Sequence, residues 1–250
     1  MDSETQKVVY GHAETHMREI ASLTKIMTCY LSLRLKEKFQ VDWNTLVRVS
    51  STAAGINGTS AKLQSGDCIK FIDLLFGLML PSGNDAAWAL AEFFGLLLNP
   101  KTLKPASCFI AEMNNLAREL DLIYTTYNNP HGLTFKKNVS AAKDVCKLAG
   151  IAMQNQDFCR IVNTPKYSAE IKGTEGMREQ VWENTNKMLG RGFKGVKTGV
   201  TSRAGPCLCV ASQRNSKDLV ITILGSRSMD ARWAEVRKLA DWAEFYFVNK

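Results

Sequence analysis

Between Glu19 and Arg34 the chain carries a single charged residue, Lys25, inside a run where Leu23, Ile26, Met27, Tyr30, Leu31 and Leu33 recur at helical spacing. A helix with so much apolar circumference has to be enclosed by other elements, so the spacing predicts a buried helix over 20–35. The fold must therefore form around a helix that takes one ammonium inside. Taken alone, Ser22 and Lys25 read more readily as a helix N-cap serine and a lysine whose stem lies on the core and whose head snorkels to water. Two polar motifs further along the chain argue for the interior.

Residues 51–66 are rich in Ser, Thr, Gly and Asn and read as a loop. Residues 70–80 and 85–98 read as two apolar helices, parted by Pro81-Ser82-Gly83-Asn84, a strong turn signal. Further helices are predicted over 107–120, with Ser107 as N-cap, and over 140–154, again opening on serine; Asn129-Pro130-His131-Gly132 lies between them as loop. Past roughly residue 180 the texture changes to strands: 195–199, 207–213 and 219–224 are rich in Val, Ile, Leu and Cys, and Arg214-Asn215-Ser216-Lys217 makes a hairpin turn. Trp233, Val236, Leu239, Ala240, Ala243, Tyr246 and Phe247 then predict a C-terminal helix that covers this sheet.

Composition bounds the function. With 250 residues, 45% hydrophobic and 22% charged, the chain can bury a sizeable core. Its net charge of +8 is scattered and forms no basic stripe interleaved with aromatics, so no nucleic-acid face is expected. Asp73, Pro81 and Glu92 interrupt the most apolar region, which argues against a membrane span. Met1-Asp2-Ser3-Glu4 lacks the basic and apolar stretches of a signal peptide. Seven cysteines without a C-x-x-C pair predict free, partly buried thiols and no zinc site. Only His12, His16 and His131 are present, which supplies a His-based triad poorly. No metal or cofactor is expected.

Three polar motifs occur in order: Ser22-Leu23-Thr24-Lys25, Ser82-Gly83-Asn84 and Lys197-Thr198-Gly199. A serine hydroxyl needs a neighbouring base to act as a nucleophile. Residues i and i+3 share a helix face, so Ser22 and Lys25 can come within hydrogen-bond reach. Lysine serves as that base only if its pKa falls from about 10.4 towards neutrality through burial or a nearby cation. The apolar surroundings of Lys25 and the second lysine, Lys197, offer both causes. Ser82 and Asn84 read alone as turn chemistry, and otherwise as a proton relay and a holder of a substrate amide. Gly199 in a strand marks close approach of another backbone or a ligand, although an edge strand guarded by Lys197 has the same pattern.

More than these motifs matches a known pattern. Ala21-Ser-Leu-Thr-Lys-Ile-Met-Thr28, Leu80-Pro-Ser-Gly-Asn-Asp-Ala86, Asn129-Pro-His-Gly-Leu133 and Gly195-Val-Lys-Thr-Gly-Val-Thr201 resemble stretches of the serine D-Ala-D-Ala carboxypeptidases, the low-molecular-mass penicillin-binding proteins related to class A β-lactamases. The resemblance implies an α/β fold of the β-lactamase/transpeptidase type. In it an antiparallel sheet flanked by helices forms from 1–50 and 181–250, a mainly helical lobe over 51–180 is inserted, and all belong to one catalytic domain. It implies Ser22 as nucleophile, Lys25 as base and Ser82 as relay. Asn84 would bind the substrate amide, and Lys197 and Thr198 its terminal carboxylate. An oxyanion hole would fall on the N–H groups of Ser22 and Val200, beside Gly199. A carboxylate-binding arginine falls on Arg232, with Arg227 as rival. Peptidoglycan-type peptides and β-lactams are the implied partners.

The apolar strand that precedes the family's counterpart of Asp2, and the family's C-terminal β-rich domain and anchor, have no match in the 250 residues. Two other functions fit parts of the pattern. A class A β-lactamase would need a Glu-x-x-Leu-Asn loop, which Glu119-Leu-Asp-Leu-Ile123 fails at its last position. A non-catalytic binding module would keep the site but not the reaction.

Overall fold

A computed structural model describes residues 1–133, 138–190 and 192–248. The helix that the apolar spacing predicts is present as α1 (Thr24–Phe39), entered through a 3-10 turn over Ala21–Leu23. Lys25 is fully buried. Around it follow β1 (Leu46–Arg48), α2 (Ser51–Ala54), β2 (Cys68–Lys70), α3 (Phe71–Met79), α4 (Asn84–Leu98), α5 (Pro105–Glu119), α6 (Ala142–Ala152), α7 (Gln156–Asn163), β3 (Lys166–Gly173) and β4 (Gly176–Glu183). The chain closes with β5 (Phe193–Thr201), β6 (Gly205–Arg214), β7 (Lys217–Ile223) and α8 (Ala231–Val248). Helix α1 is packed by α3, α4, α5, α6 and α7 and by β5, which makes it the centre of the core.

Two antiparallel sheets form, ordered β1-β2-β3-β4 and β5-β6-β7. The second matches the strands expected after residue 180, and its Asn215-Ser216 turn has both residues at positive φ (48° and 61°), as a two-residue hairpin loop requires. Helix α8 packs on β6 and β7, burying Trp233, Val236, Ala240 and Ala243. The outer edge of β7 is paired only briefly: the Met1 amine donates to Val220 O at 3.0 Å, Val220 N to Met1 O at 2.9 Å and Ser3 N to Asp218 O at 2.7 Å. Beyond that pairing, a cavity of about 660 Å³ lies between β7, residues 8–16 and α8.

Several elements depart from the sequence expectation, each for a local reason. Helix α5 starts at Pro105, not Ser107, because proline's fixed φ and missing N–H suit the first helical position. Helix α6 starts at Ala142, since the backbone of Ser140 exchanges both hydrogen bonds with Arg18. The expected loop over 51–66 contains α2, whose N-cap Ser50 accepts from Ala53 N at 2.9 Å. Helix α7 was not anticipated; its cap is Asn155, which accepts from Phe158 N at 2.9 Å. The β3–β4 hairpin also lies before the expected onset of strands, because charged residues fill its exposed positions while Ala169, Ile171 and Trp182 face the core. The seven cysteines are free. Among the described residues no helix is long and apolar enough to cross a membrane.

Candidate active site

The 3-10 turn places Ser22 immediately before α1, and the ammonium of Lys25 reaches back to it, Nζ to Oγ at 3.1 Å. Two further acceptors hold the same nitrogen: Asn84 Oδ1 at 2.7 Å and the His131 carbonyl at 2.8 Å. Groups 59 and 106 positions away from Lys25 are thereby drawn to one atom. Only the tertiary fold can hold them there, since a free lysine head prefers water. Burial first, and the charge of Lys197 second, hold the Lys25 ammonium well below its ordinary value, against the opposing pull of Asp85.

The break between α3 and α4 supplies the second motif. Ser82 is buried with φ +67°, and among the described residues its Oγ has no hydrogen-bond partner. A buried hydroxyl without a partner costs about 1–3 kcal/mol, which is the state expected of a group waiting for a ligand. Asn84 is the first residue of α4; besides holding Lys25 it donates Nδ2 to Asn57 O at 2.7 Å. Residues 57–63 brace this turn: Thr59 Oγ1 donates to Ser82 O at 2.6 Å, and Asn84 N to Thr59 O at 2.8 Å. The buried Asp85 carboxylate accepts from Ser60 Oγ at 2.6 Å and from the N–H groups of Ala61 and Leu63.

Strand β5 forms the opposite wall. Gly199 lies flat against the turn that carries Ser22: a Cβ there would sit 3.0 Å from Ser22 N and 3.2 Å from Ile20 O. A side chain there would push the two apart by a few tenths of an ångström, so glycine suits the approach. Lys197 is buried, and its Nζ donates to Thr198 O at 3.2 Å. Burial and then Arg232 push Lys197 down to about 7. The Thr198 hydroxyl shares a 2.8 Å hydrogen bond with that of Thr185, whose own N–H donates to Leu80 O at 3.2 Å beside the Ser82 turn. Val200, near the end of the strand, is exposed.

Of the two candidate arginines, Arg232 belongs to this wall. Its Nη1 donates to Gly199 O at 3.2 Å and Cys207 O at 3.1 Å, and its guanidinium lies over Trp233. Arg227 is exposed and lines the cavity beside β7, which contains none of the motif residues. Glu119, the carboxylate a β-lactamase would have to use, ends α5 in a surface ion pair with Arg34 at 2.7 Å.

Sequence reasoning passed over Thr185, Asp85, and the polar pair Thr24 and Thr28 on α1. Both threonines are buried and, four residues apart, share one face of α1. Their polarity within a run of apolar residues was the available signal. His131 was noticed only within its motif. Burial and then Lys25 lower its imidazole to about 3, so it is neutral, with Nδ1 accepting from Leu133 N at 3.1 Å. Among the described residues no cluster of His, Cys, Asp or Glu could hold a metal ion.

A serine hydroxyl beside a buried, cation-flanked lysine, between a helical wall and a glycine-bearing strand, defines a serine acyl-transfer site of the penicillin-binding type. The sequence profile of the D-alanyl-D-alanine carboxypeptidase family matches residues 1–228. The chain is 33% identical over 248 residues to the D-alanyl-D-alanine carboxypeptidase of Streptomyces sp. strain K15, covering 97% of this chain and 84% of that one. It is 30% identical over 246 residues to the D-alanyl-D-alanine carboxypeptidase DacF of Bacillus subtilis strain 168, of which it spans 60%. The crystal structure of the Streptomyces K15 DD-transpeptidase superposes with a TM-score of 0.89 at 33% identity, over 97% of this chain and 94% of that one. The D-alanyl-D-alanine carboxypeptidase DacD from Francisella tularensis, 24% identical, shares the fold with a TM-score of 0.85, over 97% of this chain and 68% of that one. The chain belongs to the D-alanyl-D-alanine carboxypeptidase family, as a serine-type DD-peptidase.

Proposed function

We propose that Ser22 attacks the carbonyl of the penultimate D-Ala of a peptidoglycan-type peptide with Lys25 as its base. A neutral primary amine has two N–H groups and one lone pair. Asn84 Oδ1 and the His131 carbonyl accept the two N–H groups, which leaves the lone pair for the proton of Ser22 Oγ. As the Oγ–C bond forms, that proton passes to Lys25. It then moves through Ser82 to the nitrogen of the leaving D-Ala as the C–N bond breaks. Water hydrolyses the resulting acyl-enzyme and restores Ser22.

The developing oxyanion is met by the N–H groups of Ser22 and Val200. Lys197 and Thr198 bind the terminal carboxylate, with Arg232, whose Nη1 is bonded to the Gly199 carbonyl, as the further cation for it. Asn84, with Oδ1 and Nδ2 already engaged inside the protein, acts first on Lys25 and offers the substrate its remaining N–H. A β-lactam enters the same reaction, except that its leaving nitrogen stays tethered, so water is kept from the ester. The residues of both chain ends and those of 51–180 act as two lobes of one catalytic domain with the cleft between them.

The observation that carries this reading is the convergence of Ser22, Asn84 and His131 on the buried Lys25 nitrogen. Its test is release of D-alanine from a peptide ending in D-Ala-D-Ala, beside labelling by a fluorescent penicillin. Both are expected of the native chain and neither of Ser22→Ala. A native chain that does neither contradicts it.

A further inference from the structure

The carbonyl that holds Lys25 belongs to a turn fixed from three directions. Asn129 Oδ1 accepts from His131 N at 3.2 Å and Gly132 N at 2.7 Å, and its Nδ2 donates to Leu133 O at 3.1 Å. Thr28 Oγ1 donates to Pro130 O at 2.6 Å. Asn138 does both tasks at once: Oδ1 accepts from Asn128 N at 2.9 Å and Asn129 N at 3.3 Å, while Nδ2 donates to Thr24 Oγ1 at 3.0 Å. Thr24 in turn donates to Ala21 O at 2.9 Å, within the turn that bears Ser22. Gly132, at φ +90°, leaves no gap, because a Cβ there would stand 1.9 Å from Ala21 O.

Resting on the reading of Ser22 as nucleophile and Lys25 as base, we propose that Asn138 is a positioning residue for acylation. It ties the turn over 128–133 to Thr24, one residue from Lys25 and two from Ser22. It thereby fixes the His131 carbonyl relative to the pair it must align. Without that tie the carbonyl moves off the amine, and the lone pair is no longer confined to the direction of Ser22. The loss falls on the chemical step, because Asn138 is 3% exposed and its side chain is spent on Asn128, Asn129 and Thr24, none of them a group assigned to the substrate.

The test is the time course of acylation by a fluorescent penicillin in the native chain, Asn138→Ala, Thr24→Val and the double variant, with thermal unfolding of each. Asn138→Ala and Thr24→Val are each expected to slow the acylation step by roughly 10–100-fold, the scale of a misplacement near 1 Å, with the dissociation constant before acylation unchanged. The double variant should be slowed by clearly less than the product of the two single losses, since the bond between Asn138 and Thr24 is common to both changes. If Asn138→Ala does not fold, Thr24→Val, a change of one atom's polarity in a buried site, carries the test. Acylation within about twofold of native in the folded variants, a loss seen as weaker initial binding, or losses that add in the double variant would each overturn the assignment. A native chain that takes no label fails the acyl-transfer reading itself and is thus distinguished from failure of the clamp.

Discussion

On the helical wall of the cleft, Lys25 and Asn84 spend their hydrogen bonds on each other and on the surrounding chain, whereas on the strand wall Lys197 makes, among the described residues, a single bond to Thr198 O. Both lysines are buried, and both have a pKa brought down mainly by burial. They differ in what their spare donors are for. Around the Lys25 nitrogen the bonds are in place before substrate arrives, which suits a group that must deliver a lone pair in one direction. The strand wall keeps N–H capacity open, which suits a group that must bind an anion and release it again. Preorganisation on one side and vacancy on the other divide chemistry from recognition.

Substitutions can sharpen this division or break it. The largest effect is expected from Ser22→Ala, which removes the acyl-accepting oxygen and should abolish penicillin labelling, read by mass shift. Lys25→Ala should slow acylation by about 10²–10⁴-fold, the usual worth of a general base, with the initial complex still formed. Near-native acylation in that variant would take the base away from the helical wall. Lys197→Ala should cut kcat/KM by roughly 10–100-fold for a peptide with a free terminal carboxylate, the worth of a charge-assisted hydrogen bond. Its effect on the same peptide with that carboxylate amidated should be much smaller. Equal losses on both peptides would mean that Lys197 belongs to the chemistry.

The pH dependence separates the walls further. In the proposed reaction Lys25 acts as the neutral amine, so acylation should rise as pH climbs through its lowered pKa. In the proposed reaction Lys197 binds a carboxylate as the ammonium and loses its charge near 7, so KM for the free-carboxylate peptide should rise above that pH. Because the Lys197 charge helps lower Lys25, Lys197→Ala should move the acid limb of acylation to higher pH. A KM flat to about pH 9 would contradict the anion-binding role. Least affected should be Thr185→Val, which frees the Thr198 hydroxyl from its partner and is expected to change KM by only a few fold, about one neutral hydrogen bond.

The two walls were also unequally legible in the sequence. Lys25 could be read as buried because no other charge shares its stretch of helix, and Gly199 could be read as a contact point because glycine is costly in a strand without one. The strands β5 to β7 and helix α8 were visible through alternation and helical spacing. The groups that escaped have a role only in three dimensions. Thr185 looks like any polar residue before a strand, yet it bridges Thr198 and the Ser82 turn. Asn138 lies 114 positions from its partner Thr24, and no local pattern links them. Hairpin β3–β4 was missed because Lys166, Glu170, Lys172 and Glu179 mask a short inward set. Asn84 was expected to face the substrate, and only the coordinates place its side chain between Lys25 and Asn57.

Acylation by this route requires Lys25 to be a neutral amine when Ser22 reacts, and the side-chain resonances of the lysines, followed by NMR against pH, report this directly. With the Lys25 signal assigned by its loss in Lys25→Ala, the expected result is a titration well below the ordinary lysine value of about 10.4 and an upward move of that titration in Lys197→Ala. A Lys25 that stays charged up to the ordinary lysine value, in a chain that still acylates at neutral pH, would contradict it.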